Sequence, residues 1–300
     1  MIGGGPIGCE LAQAFARLGT SVTLIEVLPR LLERHEPEAS ALVAGALRRD
    51  GVRVLVATSV RSVTGAVGAA TLSLSDGAGI VVEQVLVATG RLPRTSGLGL
   101  MAAGVRTDGW GFVMTDGHMR TTTPGIFAAG DVTGRPASTH AADEMGRVAA
   151  ANALSRVPVR RFRDFAIPEV TYTDPEVARV GMTEGAAAAV PGARVAHLPL
   201  AEVDRAVVAD RTDGYVTLIA GPRRGSQNLA GGRLLGATIV APRAGEMIAL
   251  PALAMASGMF PARLALTVQA YPTWSLAIRQ AAAQFFEETG GRRARPPRAG

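Results

Sequence analysis

Three hundred residues, 48% hydrophobic and 19% charged, allow two or three domains with ample cores and exclude a disordered chain. The net charge of +6 comes entirely from arginine, and because the arginines are scattered except near the C-terminus, a nucleic-acid-binding face is not expected. A single cysteine, Cys9, excludes a disulfide framework and an internal redox pair; no metal site is expected; and no apolar run approaches the roughly 20 residues that span a bilayer, so a cytoplasmic protein without membrane partners is expected.

The chain opens on Gly3-Gly4-Gly5-Pro6-Ile7-Gly8, which fits G-x-G-x-x-G. In that pattern Gly3 permits a tight strand-to-helix turn, Gly5 lets backbone approach a pyrophosphate, and Gly8 lets helix pack on strand. Only Met1 and Ile2 precede the first glycine, so the first strand reads as truncated and its neighbours as short of backbone partners. Residues 9–18 read as a helix with Leu11, Ala12, Phe15 and Ala16 on one face, and Ser21–Ile25 as the second parallel strand. Glu26 closes that strand, where a carboxylate accepts hydrogen bonds from an adenine ribose and repels a 2′-phosphate, which favours NAD(H) over NADP(H). Each signal has a plainer reading, a turn that binds nothing and a solvated strand-end charge, and the complete unit favours the nucleotide.

Residues 37–50 predict a helix, Val52–Val56 a strand, Thr71–Leu74 and Ile80–Val82 a hairpin around Asp76-Gly77, and Val85–Ala88 a buried parallel strand. Further on, Ile126–Ala129 predicts a short buried strand whose end carries Gly130 and Asp131 at the edge where open α/β sheets take ligands. From about residue 166 an α+β unit is expected, with strands at Val170–Thr173, Ala193–Leu198, Tyr215–Ile219 and Leu235–Val240 and apolar helices at 245–256 and 274–286.

Four stretches in order carry a resemblance: Ala88-Thr89-Gly90-Arg91-Leu92-Pro93; Thr123-Pro124-Gly125-Ile126-Phe127-Ala128-Ala129-Gly130-Asp131; Pro168 through Gly181; and Leu235–Val240 with Ala244-Gly245-Glu246. Together with the opening turn they resemble the pyridine nucleotide-disulfide oxidoreductases, flavoproteins that include dihydrolipoamide dehydrogenase, glutathione reductase and mercuric reductase. The resemblance implies an α/β fold: a doubly wound NAD(P)-binding domain (1–88, first strand truncated), a remnant of an FAD-binding domain (89–161) and an α+β dimerisation domain (162–288); the arginine-rich end beyond it reads by composition as a disordered basic tail (289–300). The resemblance also implies FAD and NAD(P)H as cofactors, NADH preferred, and a homodimer in which hydride passes between nicotinamide and flavin, with a small molecule as electron acceptor. Gly3, Gly5, Gly8 and Glu26 would hold NAD(H). Gly90, Gly130, Asp131, Thr139 and His140 would lie at the flavin, with His140 equally readable as a helix-start histidine without chemistry. Glu10 matches a glutamate near the nicotinamide whose lysine partner is missing here, which leaves a solvated helix carboxylate as the alternative.

The departures matter as much. The family's second G-x-G-x-x-G and its C-x-x-x-x-C pair do not occur in these residues, so the chain is expected to be the C-terminal portion of a flavoenzyme, with a non-catalytic nucleotide-binding and dimerising fragment as the alternative. Where disulfide-reducing members carry a histidine general acid and a glutamate, this sequence has Tyr271 and Leu276. Tyrosine, with an ordinary pKa near ~10, is a poor proton shuttle at neutral pH. Tyr271 therefore points to the mercuric-reductase-like branch, although that branch's paired C-terminal cysteines are absent.

Overall fold

The computed structural model describes residues 1–298 other than positions 224, 226 and 227. The chain divides into two compact units, Met1–Thr89 with Val170–Gly300, and Gly90–Glu169.

In the first unit, helix α1 (Pro6–Arg17) leads to strand β1 (Thr23–Ile25), helix α2 (Pro37–Arg49) and strand β2 (Arg53–Leu55). Both helices start on a proline, whose missing N–H is one that the first turn leaves unpaired anyway. Strands β1 and β2 pair in parallel, Thr23 with Arg53 and Ile25 with Leu55. The three residues ahead of the turn fill the central position more fully than the sequence suggests. Ile25 N donates to Met1 O and Gly3 N to Ile25 O, while on the other side Ile2 N donates to Leu86 O and Ala88 N to Ile2 O, all at 2.7–2.9 Å. The expected buried strand at Val85–Ala88 reduces to one parallel bridge with Ile2, and Val87 is 66% exposed. A strand paired along one residue gains too little ladder to extend.

Strands β3 (Val60–Ala66), β4 (Ala69–Leu74) and β5 (Gly79–Val82) form an antiparallel sheet. The β4–β5 turn is the expected one, closed by Ala78 N on Asp76 Oδ1 at 2.9 Å with Gly77 at φ 87°. Strand β3 escapes a sequence reading because it buries almost nothing; Leu72 and Leu74 of β4 supply the apolar face against Ile25.

Strands β6 (Glu169–Thr171), β7 (Glu176–Gly181), β8 (Arg194–Pro199), β9 (Tyr215–Gly221) and β10 (Arg233–Ala241) make one sheet in the order β6-β7-β10-β9-β8. Every residue of β9 is buried, and all but the first of β10, because both faces of the sheet are covered. On one face lie Met247, Ile248, Leu264, Ile278, Ala281 and Phe285 from the helical segment 244–286. On the other, Val177, Tyr215 and Val240 join Leu31, Val43 and Leu47 of the nucleotide-binding part in one core. The expected helix at 245–256 is two, Ala244–Met247 and Ala249–Ser257, and that at 274–286 is Leu276–Ala283.

The described part of the expected disordered tail, residues 289–298, makes defined contacts, and the last two positions lie outside the described residues. Val195 and Arg295 exchange backbone hydrogen bonds at 2.7 and 2.9 Å, extending the sheet at its β8 edge. Arg292 pairs with Glu202 and Arg295 with Glu184. Arginines that look like a free basic run from composition meet carboxylates distant in sequence.

The second unit holds one long helix, α3 (Thr139–Ala153), over a small core of Met119, Met145, Val148 and Phe162. Asn152 organises the rest: its amide donates to His118 O and Arg160 O and accepts from Val159 N and Arg160 N, at 2.8–3.1 Å. The expected buried strand Ile126–Ala129 is here one antiparallel bridge, Phe127 with Arg120, and is only half-buried, since it is paired on one side alone.

Candidate functional site

The glycine turn is built by contacts that exclude side chains. Gly3 has φ 109°, and a Cβ there would stand 2.5 Å from Ala88 O; a Cβ on Gly8 would stand 1.8 Å from Gly3 O. Gly8 is therefore the point where α1 touches the strand. A Cβ on Gly5 would meet nothing within 4 Å, so Gly5 faces open space, and as N-cap of α1 it leaves the first-turn amides without a side-chain partner. Those unpaired N–H groups and the positive end of the helix dipole form an anion site of the kind that holds a pyrophosphate.

Glu26 is 8% exposed, which is unusual for a strand-end carboxylate. Its Oε2 accepts from Gly4 N at 2.5 Å and its Oε1 from Leu28 N at 2.8 Å. Each oxygen keeps a further lone pair for a ribose hydroxyl. Gly4, which sequence reasoning passed over, belongs to this contact: a Cβ on it would stand 2.9 Å from Glu26 Cβ and 2.5 Å from a Leu31 methyl. Gly3, Gly5, Gly8 and Glu26 are thus brought together around one helix start, an arrangement that fits the ADP portion of NAD(H).

Glu10, on α1, has a partner within the fold. Its carboxylate accepts from Tyr172 N at 2.8 Å, tying α1 to the segment between β6 and β7. Next to it Gln13, 4% exposed, makes a two-way contact with Asp174: Asp174 N donates to Gln13 Oε1 at 2.7 Å and Gln13 Nε2 donates to Asp174 O at 2.9 Å. A polar side chain within the apolar stripe of Cys9, Ala12 and Ala16 was the available signal for Gln13. Cys9 is fully buried, its thiol pushed up to about 12 by burial and by Glu10 and Glu26. It is no thiolate at neutral pH and no redox group.

In the second unit Gly130, at φ 80°, abuts the first turn of α3: a Cβ on it would stand 3.4 Å from Ala142 Cβ. Asp131 follows, half-exposed, with Oδ2 2.9 Å from Arg91 Nη1, so the segments after Gly90 and Gly130 meet. Ser138 caps α3 by accepting from Ala141 N, which leaves the amides of Thr139 and His140 as the outward first-turn donors. The His140 ring is held at Nε2 by Pro168 O at 2.6 Å, so its Nε2 proton is spent on a backbone carbonyl. These residues fit the flavin end of FAD. No second glycine turn for its ADP end occurs in the sequence.

Tyr271 is 68% exposed, and its hydroxyl donates to Asp204 Oδ2 at 3.0 Å. That carboxylate holds the phenol above its ordinary range and keeps the proton on it. Among the described residues no cluster of three metal-ligating side chains occurs, and no helix is long and apolar enough to cross a membrane.

Comparison with known proteins agrees with this geometry. The pyridine nucleotide-disulphide oxidoreductase family matches residues 1–146, and the dimerisation domain of the same family matches residues 167–282. Among curated relatives, a dihydrolipoyl dehydrogenase of Thermus scotoductus is 37% identical over 94% of this chain and 60% of its own length. A mercuric reductase of Streptomyces lividans is 41% identical over 95% of this chain and 59% of its own. The crystal structure of LpdA from Mycobacterium tuberculosis superposes with a TM-score of 0.86 at 30% identity, covering 95% of this chain and 61% of that one. The chain spans about 60% of the length of the curated relatives it matches. Two family matches in order, with an α/β glycine turn followed by an α+β sheet domain, make this chain a member of the pyridine nucleotide-disulfide oxidoreductase family.

Proposed function

We propose that these residues hold NAD(H) and form the homodimer of an FAD-dependent NAD(P)H oxidoreductase that prefers NADH and delivers electrons to a small molecule. The observation that carries this reading is the glycine turn with Glu26 inside it. The Gly5 and first-turn α1 amides would bind the pyrophosphate, and Glu26 would accept from the ribose hydroxyls while opposing a 2′-phosphate of like charge. FAD, when bound, supplies the two-electron acceptor for the nicotinamide hydride. Asp131 and the outward amides of Thr139 and His140 would orient its flavin end, with Gly90 and Gly130 giving the backbone its close approach. Glu10 is a positioning residue in this reading, and its contact with Tyr172 fixes α1 rather than the nicotinamide.

Disulfide substrates are disfavoured by Tyr271, which, tethered by Asp204, is a weak acid where thiol chemistry needs a ready proton donor. The alternative, a nucleotide-binding and dimerising fragment without catalysis, is favoured by the half-exposed flavin-end residues. Titration of the purified chain with NADH, followed by nicotinamide fluorescence, tests the reading. It should saturate at one nucleotide per chain with NADPH weaker, and a folded chain that binds no NADH would sink it. The visible spectrum separates the two alternatives: a colourless protein that gains no flavin absorbance on adding FAD is the fragment, and a yellow one the oxidoreductase.

A further inference from the structure

We propose that Glu33 sets the nucleotide preference of this site by holding Arg30 away from a 2′-phosphate, an inference that rests on reading the Gly3–Glu26 turn as an NAD(H) site. Arg30 lies four residues beyond Glu26, in the loop that wraps the glycine turn. Leu32 N donates to Gly4 O at 2.9 Å, and Ser40 Oγ holds Leu31 O at 2.6 Å. Leu32 is 3% exposed in the left-handed region at φ 48°, a conformation that a leucine keeps only where its surroundings impose it. The loop is thus fixed against the turn on both sides.

A guanidinium is the side chain best suited to grip a phosphate, through paired N–H donors. In this loop the donors of Arg30 are turned inward. Nη1 donates to His35 O at 2.8 Å, Nη2 to Glu33 O at 2.7 Å, and Nε lies 3.0 Å from Glu33 Oε2. The loop that follows Glu26 therefore carries a second carboxylate, Glu33, on a guanidinium whose donors are engaged. Glu26 repels a 2′-phosphate directly; Glu33 withholds the cation that would offset the repulsion.

The test titrates the wild-type chain, Glu33→Gln, Arg30→Ala and the double variant with NADH and NADPH by nicotinamide fluorescence, with circular dichroism as the check on folding. Glu33→Gln keeps the side-chain shape and removes the charge. It should tighten NADPH about fivefold, the scale of a half-exposed ion pair, and leave NADH within about twofold. Arg30→Ala should leave the weak wild-type NADPH binding within about twofold and erase the gain in the double variant, because the gain comes from the guanidinium charge that Glu33 Oε2 no longer neutralises. No NADPH gain in Glu33→Gln, or a gain that survives Arg30→Ala, would overturn the proposal while leaving the NADH site intact. A folded wild-type chain that binds neither nucleotide would overturn the site reading, and this inference with it.

Discussion

The two glycine-acid turns of this protein, Gly3–Gly8 with Glu26 in one unit and Gly130–Asp131 in the other, look alike in sequence and are built differently. In the first, the carboxylate is buried and satisfied by two backbone amides, and Gly3 and Gly8 are required by contacts under 3 Å to backbone oxygens. In the second, the carboxylate is half-exposed on an exposed arginine, and the glycine has only ordinary contact with a methyl group. The first acid is fastened inside the fold by backbone amides; the second rests on a half-exposed ion pair. A site of the first kind is part of the fold's stability, whereas one of the second kind can change with little consequence for folding.

The strongest way to break this comparison is to add a methyl group at two positions of the first turn, Gly8 and Gly5. Gly8→Ala forces its new Cβ onto Gly3 O and should destabilise the first unit by about 3 kcal/mol or more. Gly5→Ala meets nothing, so it should leave the urea midpoint nearly unchanged and instead weaken NADH binding by obstructing the pyrophosphate. If both variants unfold alike, or if Gly5→Ala binds NADH normally, the division between a packing glycine and a ligand glycine is wrong.

Gln13→Leu comes next. Leucine suits the apolar stripe on which Gln13 lies, yet it leaves Asp174 N–H and Asp174 C=O without their partners and should cost about 2 kcal/mol. Because these bonds link α1 to the β6–β7 segment, the loss should appear as one cooperative transition of the first unit at a lower urea midpoint. A second transition would show that the nucleotide-binding part and the sheet domain are separable.

What was legible in the sequence divides along the same physical line. The glycine spacing, the helix 37–49 and four of the five strands of the sheet domain follow from period and turn chemistry, whereas β7, Glu176–Gly181, was not read as a strand. Val85–Ala88 and Ile126–Ala129 read as buried strands because four apolar residues in a row carry no information about how many neighbours will pair with them. Strand β3, Val60–Ala66, was missed for the opposite reason, being paired but hardly buried. The tail was misread because the partners of Arg292 and Arg295, Glu202 and Glu184, lie about 90 and 110 residues away, beyond any local pattern. The Glu10 contact with Tyr172 is of the same kind.

Acid sharpens the comparison further, because a half-buried titratable group belongs to the first unit. His197 on β8 lies with Nδ1 3.0 Å from Thr217 Oγ1 and its ring 5.1 Å from that of Tyr215. Burial, then Arg292 and Arg295, lowers its pKa below the ordinary 6.5, with Glu184 opposing. The folded chain keeps this imidazole neutral while the unfolded chain takes up a proton, so the contribution is fully present above pH 6.5 and is lost as pH falls toward the folded value. His197→Gln should flatten the fall in stability between about pH 7 and about pH 5.5, by less than about 1 kcal/mol. Glu38, 3.8 Å from Nε2 and raised by burial and by Glu184 and Glu36, acts in the opposite sense at lower pH, which is why the comparison stops there. Parallel pH profiles for the two proteins would remove His197 from the account.

The smallest effect tests the second turn. Asp131 and Arg91 are 50% and 57% exposed, and an ion pair so placed stabilises by at most a few tenths of a kcal/mol after screening. Asp131→Asn should therefore leave the thermal midpoint within about 1 °C of wild type and be insensitive to added salt, in contrast to any change at Glu26, whose two amide contacts lie inside the fold. If flavin is taken up at this turn, the same variant should weaken it several-fold by removing one charged acceptor, so that binding changes while stability does not. A loss of about 1.5 kcal/mol or more in the ligand-free protein would mean that Asp131 is fastened into its unit as Glu26 is, and the contrast between an acid held inside the fold and one resting on a half-exposed ion pair would fail.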